Sequence, residues 1–426
     1  MYPFDDEQSY LEYLKREVML PEGFRAGSVS LSFTPEERPT LEPYRMNLSA
    51  LVCDQPTDAF AGVFTRNAVA GAPVLIGRQR MRESFSRGVL VNNRISNVCA
   101  RDGERDAELL ASTFAGEIGC DSREVFPVST GIIGWKLPVA DMQQRIPRLA
   151  EALSGDDAVA FASGIMTTDS YAKLRSVAVG DGHVVGIAKG AGMIEPDMAT
   201  MLAFIVTDLD VDRETCRTVL RDAVTASFNS ISIDSDQSTS DMVLLFSSRR
   251  CGPVDSGEFA SAVETVCGQL AEDIVRNGEG TAHVIQVTVE AAHSNEEARL
   301  LGKAVVNSPL VKTAVYGNDP NVGRVVGALG DCAGTHRLHF DPATVEISMG
   351  GVPVFSGGVF HLDRQKEIQL SSYLKRAAMN PRVRGYPQHE RNVEMTVQCG
   401  QGTGSARVLG SDLSDEYVHE NADYRS

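Results

Sequence analysis

Residues 189–208 read KGAGMIEPDMATMLAFIVTD, and their reading decides the fold. A glycine-loosened loop runs through Pro196 to Ala199 and Thr200 and passes directly into the apolar run Met201–Val206, which has the length and β-branched content of a buried strand. Thr200 stands where loop meets strand. If the Ala199–Thr200 bond were cut, this threonine would carry a hydroxyl nucleophile and, in its own α-amine, a proton acceptor far better at neutral pH than any backbone amide. On the stretch alone the plainer reading is the stronger one, because a β-branched threonine suits the start of a strand without any chemistry.

The 426 residues exceed what one hydrophobic core organises, so two packed domains or one multilayer body are expected. Hydrophobic content of 42% is that of a globular protein, and a net charge of −17 with no Lys/Arg-rich run argues against a nucleic-acid partner. No apolar run approaches the length of a membrane span, and the acidic start MYPFDDEQSY is unlike a basic signal sequence, so neither membrane nor secretion is expected. Eight widely spaced cysteines, without a CxxC, read as buried thiols of a reducing cytoplasm and not as a metal site.

Taken in order, residues 1–20 form an added segment in which Tyr10, Leu11, Leu14 and Val18 predict a short amphipathic helix, packed on the body or on another subunit. Strands are expected at Ala50–Cys53, Gly62–Phe64, Val89–Asn92 and Val125–Ser129. A helix follows from Ala107, Leu109, Leu110, Thr113, Phe114 and Ile118, closed by Gly119. Strand Val125–Ser129 runs into TGIIG, where Thr130 and Gly131 can turn backbone N–H groups and a hydroxyl outward to hold a tetrahedral oxyanion; an ordinary strand-to-helix turn is the alternative. Lys189 ends the strand pattern His183–Lys189, either as a solvated strand end or as a cation awaiting a carboxylate. Glu279 sits in NGEGT between two glycines, a setting more usual for a solvated turn residue. Asp319 is positioned to cap a helix before Pro320, and the glycines of NDPNVGRVVGALG lack the preceding strand of a dinucleotide fingerprint.

LPEGFRAG from Leu20, AGVFTRN at Ala61–Asn67, STGIIG at Ser129–Gly134, KGAGMIEPDMATML, NGEGT, NDPNVGR and the terminal YVHENADYRS occur in one order. In this the chain resembles the ornithine acetyltransferases of the cyclic arginine pathway, also called glutamate N-acetyltransferases. The resemblance implies an α/β protein: a four-layer αββα sandwich with mixed sheets and a smaller carboxy-terminal α/β lobe. It implies cleavage between Ala199 and Thr200 into an α chain (21–199, after the extension 1–20) and a β chain (200–426), assembled as a dimer of αβ pairs or more. It implies Thr200 as nucleophile, Thr130 and Gly131 as the oxyanion site, and Thr167, Lys189, Thr200, Glu279, Asn421 and Ser426 as the substrate pocket, with small amino acids as substrates and no cofactor.

Three stretches depart from the family pattern. NNRISNVC at Asn92–Cys99 replaces an NSGNANA-type loop and puts Arg94 and Ile95 where small residues are usual; SDQSTSD at Ser235–Asp241 replaces GDTSTND; and Val322 replaces a tryptophan. The altered loops are candidates for shaping the pocket, so a paralogue acting on another amino acid is a second reading. A third is an amidohydrolase or aminopeptidase of the same fold, in which water discharges the acyl-enzyme. An inactive homologue fits poorly with the presence of Thr130, Lys189 and Thr200.

Overall fold

The apolar run after residue 200 forms strand Leu202–Thr207, buried at every position. The structure, a computed structural model, describes residues 4–39, 42–195 and 201–422; Ala199, Thr200 and Ser426 lie outside the described residues. The strand occupies the middle of a five-stranded mixed sheet, sheet II, in the order Phe60–Phe64, Met242–Ser247, Leu202–Thr207, Gly182–Lys189, Lys173–Val179. It pairs parallel with Met242–Ser247 and antiparallel with Gly182–Lys189. Its side chains alternate between two cores: Leu202, Phe204 and Val206 enter one, Ala203 and Ile205 the other. A strand covered on both faces needs no polar alternation, which is why its sequence reads as one unbroken apolar run.

On the Phe204 side lies sheet I, in the order Phe24–Phe33, Tyr44–Thr57, Ser86–Asn92, Val125–Ser129. Phe60 and Phe246 of sheet II meet Phe126 of sheet I with ring centroids 6.1 Å apart, two edge-on contacts that lock the sheets together. Helices Arg213–Ala226 and Ser256–Arg276 cover the outer face of sheet II, and helices Gly103–Ile118 and Val139–Glu151 the outer face of sheet I. The result is the αββα layering expected. The helix Ser256–Arg276 starts where Asp255 accepts the Gly257 and Glu258 N–H groups, and it buries the stripe Phe259, Val263, Cys267, Leu270 and Ile274.

The carboxy-terminal lobe is a seven-stranded sheet, in the order Val359–Phe360, Val352–Ser356, Glu346–Met349, Val393–Gln398, Val284–Ala292, Gly404–Ser411, Ile231–Ser232, packed on helices Asn295–Asn307, Pro309–Tyr316, Val322–His336 and Arg364–Ala377. Its last strand, Ile231–Ser232, lies in the hydroxyl-rich stretch just before Ser235–Asp241, and it pairs parallel with Gly404–Ser411. At this seam the buried Lys312 ammonium donates to the carbonyls of Ile233 (2.8 Å) and Ser411 (2.5 Å). Burial pushes its pKa down from 10.5 to about 8. The unfolded chain therefore binds the extra proton between those values. Wild-type stability, measured relative to Lys312→Met by chemical denaturation, should rise from pH 8 to 10.5, by up to about 3 kcal/mol.

The structure decides one local reading between its alternatives and corrects others. The amino-terminal helix, Glu7–Glu17, packs on the body of its own chain: Tyr10 and Leu14 are buried, and the Tyr10 hydroxyl donates to the Ala172 carbonyl at 2.8 Å. Helix Val322–His336 is capped by Asn321, whose side chain accepts the Arg324 N–H, and not by Asp319. In helix Gly103–Ile118, Leu109 is 44% exposed, and the buried stripe is Ala107, Leu110, Ala111 and Phe114. Cys99 is exposed and Cys120 and Cys251 half-buried, so only five of the eight thiols are core groups.

Candidate active site

Sheet ends, connecting loops and the helix Asp415–Ala422 converge on one cleft of about 310 Å³, whose lining includes Thr130, Gly131, Thr167, Lys189, Glu279 and Asn421. All six described positions from the sequence reading are thus brought together, from points spread across nearly 300 residues of chain. Met201 and Leu202, the first residues after Thr200, line the same cleft.

Thr130 and Gly131 leave sheet I at the end of Val125–Ser129. The Thr130 N–H donates to the Asn92 carbonyl at 3.0 Å, which corrects the expectation that it points outward; the donor this residue can offer is its hydroxyl. That oxygen accepts a hydrogen bond from the Lys189 ammonium at 3.2 Å, leaving its own proton to be donated elsewhere. Gly131 has φ 130°, and a Cβ there would run into the Arg94 backbone, so glycine is required by both conformation and space.

Lys189 is 8% exposed, so the solvated reading of this strand end is excluded. Among the described residues its ammonium has Thr130 as hydrogen-bond partner, although an ammonium carries three donors. Glu279 is 6% exposed and not a solvated turn residue. Its N–H donates to the Ala191 carbonyl at 2.8 Å, and its carboxylate accepts from Asn421 Nδ2 at 2.9 Å. A Cβ on Gly192 would collide with that carboxylate, so the second glycine of KGAG is what lets Glu279 approach the strand end. One cleft thereby holds a buried cation and a buried anion.

Sequence reasoning missed the group that sets this arrangement. Asp169, fully enclosed, accepts from the Lys173 ammonium at 2.6 Å and the Gly190 N–H at 2.7 Å through Oδ1, and from the Thr167 N–H at 3.0 Å through Oδ2. Lys173 reaches on to Asn277 Oδ1 at 2.5 Å, and Asn277 donates to the Ser170 hydroxyl. Burial raises the Asp169 pKa, but the ammonium groups of Lys173 and Lys189, the Lys173 hydrogen bond and the Gly190 N–H outweigh it and hold the carboxyl below its ordinary value. Asp169 thus ties the Thr167 loop, the end of the Lys189 strand and the turn before Glu279 into one rigid unit. Asp234 does the same for the next segment, accepting the Met193 and Ile194 N–H groups at 2.6 and 2.7 Å. The visible signal for both was an acidic residue inside a hydroxyl-rich loop, TTDS or SIDSD, where a side chain can take backbone donors.

A larger and more open cavity of about 830 Å³ lies in the carboxy-terminal lobe, between residues 317–323 and the helix Arg364–Ala377; it shares none of these residues, so size alone does not locate the chemistry. His293, Glu297 and His339, on the surface of the same lobe, are the one group among the described residues with ligand atoms close enough to share a metal ion.

The layered body, with a hydroxyl-rich cleft at the end of its central sheet, defines a small-molecule enzyme of the αββα class. The chain belongs to the ArgJ family, which it matches over residues 39–426. It is 36% identical over 405 residues to the arginine biosynthesis bifunctional protein ArgJ of Rhodococcoides fascians, covering 95% of this chain and 94% of that one. To the protein of the same name from Methylococcus capsulatus it is 40% identical over 381 residues, covering 86% and 88%. Among solved structures it is similar to ArgJ of Bacillus halodurans, with 31% identity and a TM-score of 0.46 over 52% of this chain and 99% of that chain. The chain is accordingly an acetyltransferase of arginine biosynthesis.

Proposed function

We propose that the chain cleaves itself between Ala199 and Thr200, giving an α chain 21–199 behind the extension 1–20 and a β chain 200–426, and that Thr200 then carries an acetyl group from N2-acetylornithine to glutamate. The observation that carries this reading is the convergence of Thr130, Lys189 and Glu279 on the cleft lined by Met201, the residue to which Thr200 is bonded. The Thr200 hydroxyl attacks the acetyl carbonyl while its α-amine takes the proton; the oxyanion receives hydrogen bonds from the Thr130 hydroxyl and the Gly131 N–H. The intermediate collapses as the ornithine amine takes up a proton and leaves, and acetyl-Thr200 remains. Glutamate enters the same cleft, its amine attacks the ester carbonyl, and N-acetylglutamate departs. Lys189 pairs with the substrate α-carboxylate, Glu279 with the distal ammonium of ornithine, and Thr167, Asn421 and Ser426 complete the pocket. Self-processed αβ pairs assemble as a dimer, in the cytoplasm, where the eight thiols stay reduced.

Thr130 offers a direct test. Thr130→Ala removes one oxyanion donor and should lower kcat by about a hundredfold or more with little change in KM. Steady-state kinetics with N2-acetylornithine and glutamate decide it; a wild-type kcat would reduce Thr130 to a turn residue.

A further inference from the structure

We propose that Arg94 forms an anion-binding subsite at the mouth of the cleft and takes the side-chain carboxylate of an acidic acceptor, so that it selects dicarboxylic over cationic amino acids. The inference rests on the transferase reading above and deepens it. Arg94 has φ 71°, in the left-handed region that favours glycine. Such a conformation persists only when its surroundings impose it. Here they do: the Ile132 N–H donates to the Arg94 carbonyl at 2.9 Å, Ile95 bridges to Thr130 and Ile132, and Gly131 packs against the Arg94 backbone without a side chain between them. The Arg94 Cα is therefore held beside the oxyanion pair, so its exposed side chain starts from a fixed point at the mouth of the cleft.

That side chain lines an outer chamber of about 350 Å³, together with Tyr44, Arg384 and Glu420. The chamber shares Gly131, Ile132, Thr167, Thr168 and Glu279 with the inner cleft, so a molecule can reach from one into the other. Arg384 is already paired with Glu420. Among the described residues no ion pair or hydrogen bond engages the Arg94 guanidinium, which leaves it as the uncompensated cation of the chamber.

The two halves of the transfer reaction make opposite demands on this space. A donor with a distal ammonium is served by the buried Glu279, whereas an acceptor with a distal carboxylate would be repelled by it. A guanidinium at the adjoining mouth gives that carboxylate a partner of matching fork geometry, and a rotation of the acceptor side chain toward Arg94 removes it from Glu279. One pocket can then accept both amino acids in turn, by directing their side chains to different walls.

The test compares acceptors on the acetyl-enzyme formed from N2-acetylornithine: glutamate against ornithine, read as the ratio of their kcat/KM values. Arg94→Gly restores the residue that the left-handed backbone favours, so its fold is not put at risk; it should lower the glutamate-to-ornithine ratio by about tenfold or more, the size of one charge-assisted hydrogen bond. Arg94→Lys should recover part of that ratio, and Arg94→Glu should push it below the Gly variant. An unchanged ratio in Arg94→Gly, or a Lys variant as poor as the Gly one, overturns the subsite. If the ratio holds but the KM for acetyl-CoA as donor rises, the guanidinium serves phosphates of a thioester and the carboxylate assignment is wrong. Failure of the wild-type protein to release ornithine at all would instead overturn the transferase reading on which the subsite rests.

Discussion

Thr200→Ala is expected to remain a single full-length chain and to lose acetyl transfer by about 10⁴-fold or more, because it removes at once the hydroxyl that attacks and the cleavage that frees the α-amine. Intact-mass spectrometry of the wild-type protein should show two fragments splitting between Ala199 and Thr200, and the variant only one species. Thr200→Ser keeps a hydroxyl and should still be processed, more slowly. The two readouts separate two roles. A processed wild type with an inactive Thr200→Ala supports the amino-terminal nucleophile; a wild type that stays full length yet transfers acetyl at full rate would sink that mechanism.

The second large effect is expected at a residue that touches no substrate. Asp169→Ala leaves the Lys173 ammonium buried without its carboxylate and strips the Thr167 and Gly190 N–H groups of their acceptor. Breaking a buried pair by removing one partner costs about 3–5 kcal/mol, far more than the pair itself contributes over an apolar replacement. Denaturant unfolding of the two proteins measures it. The double variant Asp169→Ala with Lys173→Met should lose less than Asp169→Ala alone, since no orphaned charge remains. The pH dependence has a definite sign. Because the folded carboxyl lies below its ordinary value of 3.8, the stability it contributes is fully present above that value and is lost as pH falls through the folded one. Wild type should therefore keep this contribution down to about pH 4 and lose it only in stronger acid. In Asp169→Ala the orphaned Lys173, whose pKa burial already pushes down, sheds its proton more readily as pH rises, so the difference between the two proteins should narrow on the alkaline side and not between neutrality and pH 4. A difference that vanished as pH fell from neutrality to about 4 would mean that Asp169 is not the ionised partner of Lys173.

The consequence for function lies in stiffness. Thr167 reaches the cleft on a loop and Lys189 at the last position of its strand, where a loop begins, and loops alone hold side chains loosely. Asp169 ties both backbones to one buried carboxylate, so the cation and the hydroxyl face the cleft in fixed positions before any substrate arrives. Asp169 is a positioning residue in this sense, and residual turnover in Asp169→Asn, which keeps the acceptor oxygen but not the charge, would separate the hydrogen bonds from the ion pair.

Much of the layering was legible because it is written in short-range pattern. Strands Leu202–Thr207 and Met242–Ser247 are continuous apolar runs, and helix Ser256–Arg276 carries its buried stripe at helical spacing behind an Asp255 cap. The short edge strand Ile231–Ser232 was hidden, since two residues carry no periodicity and it exists only by pairing with Gly404–Ser411. Leu109 misled for a related reason: helical spacing names a face, but the sheet it meets decides how wide that face is.

By itself the sequence determined the longer strands and helices with strong periodicity, and it placed Thr200 at a loop-to-strand junction, because propensity, periodicity and capping act over a few residues. Only the tertiary structure decided the state of the charged groups. Lys189 meets Thr130 across 59 residues of chain, Lys173 meets Asn277 across 104, and Glu279 meets Asn421 across 142. Burial and pairing at such separations depend on how sheets stack and loops close, so the same local sequence could have left Lys189 and Glu279 in water. The Thr130 N–H shows the point at the smallest scale: strand and turn were foreseen, but its donation to the Asn92 carbonyl, which leaves the hydroxyl to face the cleft, follows from the parallel pairing of its strand with Ser86–Asn92, which no local pattern specifies.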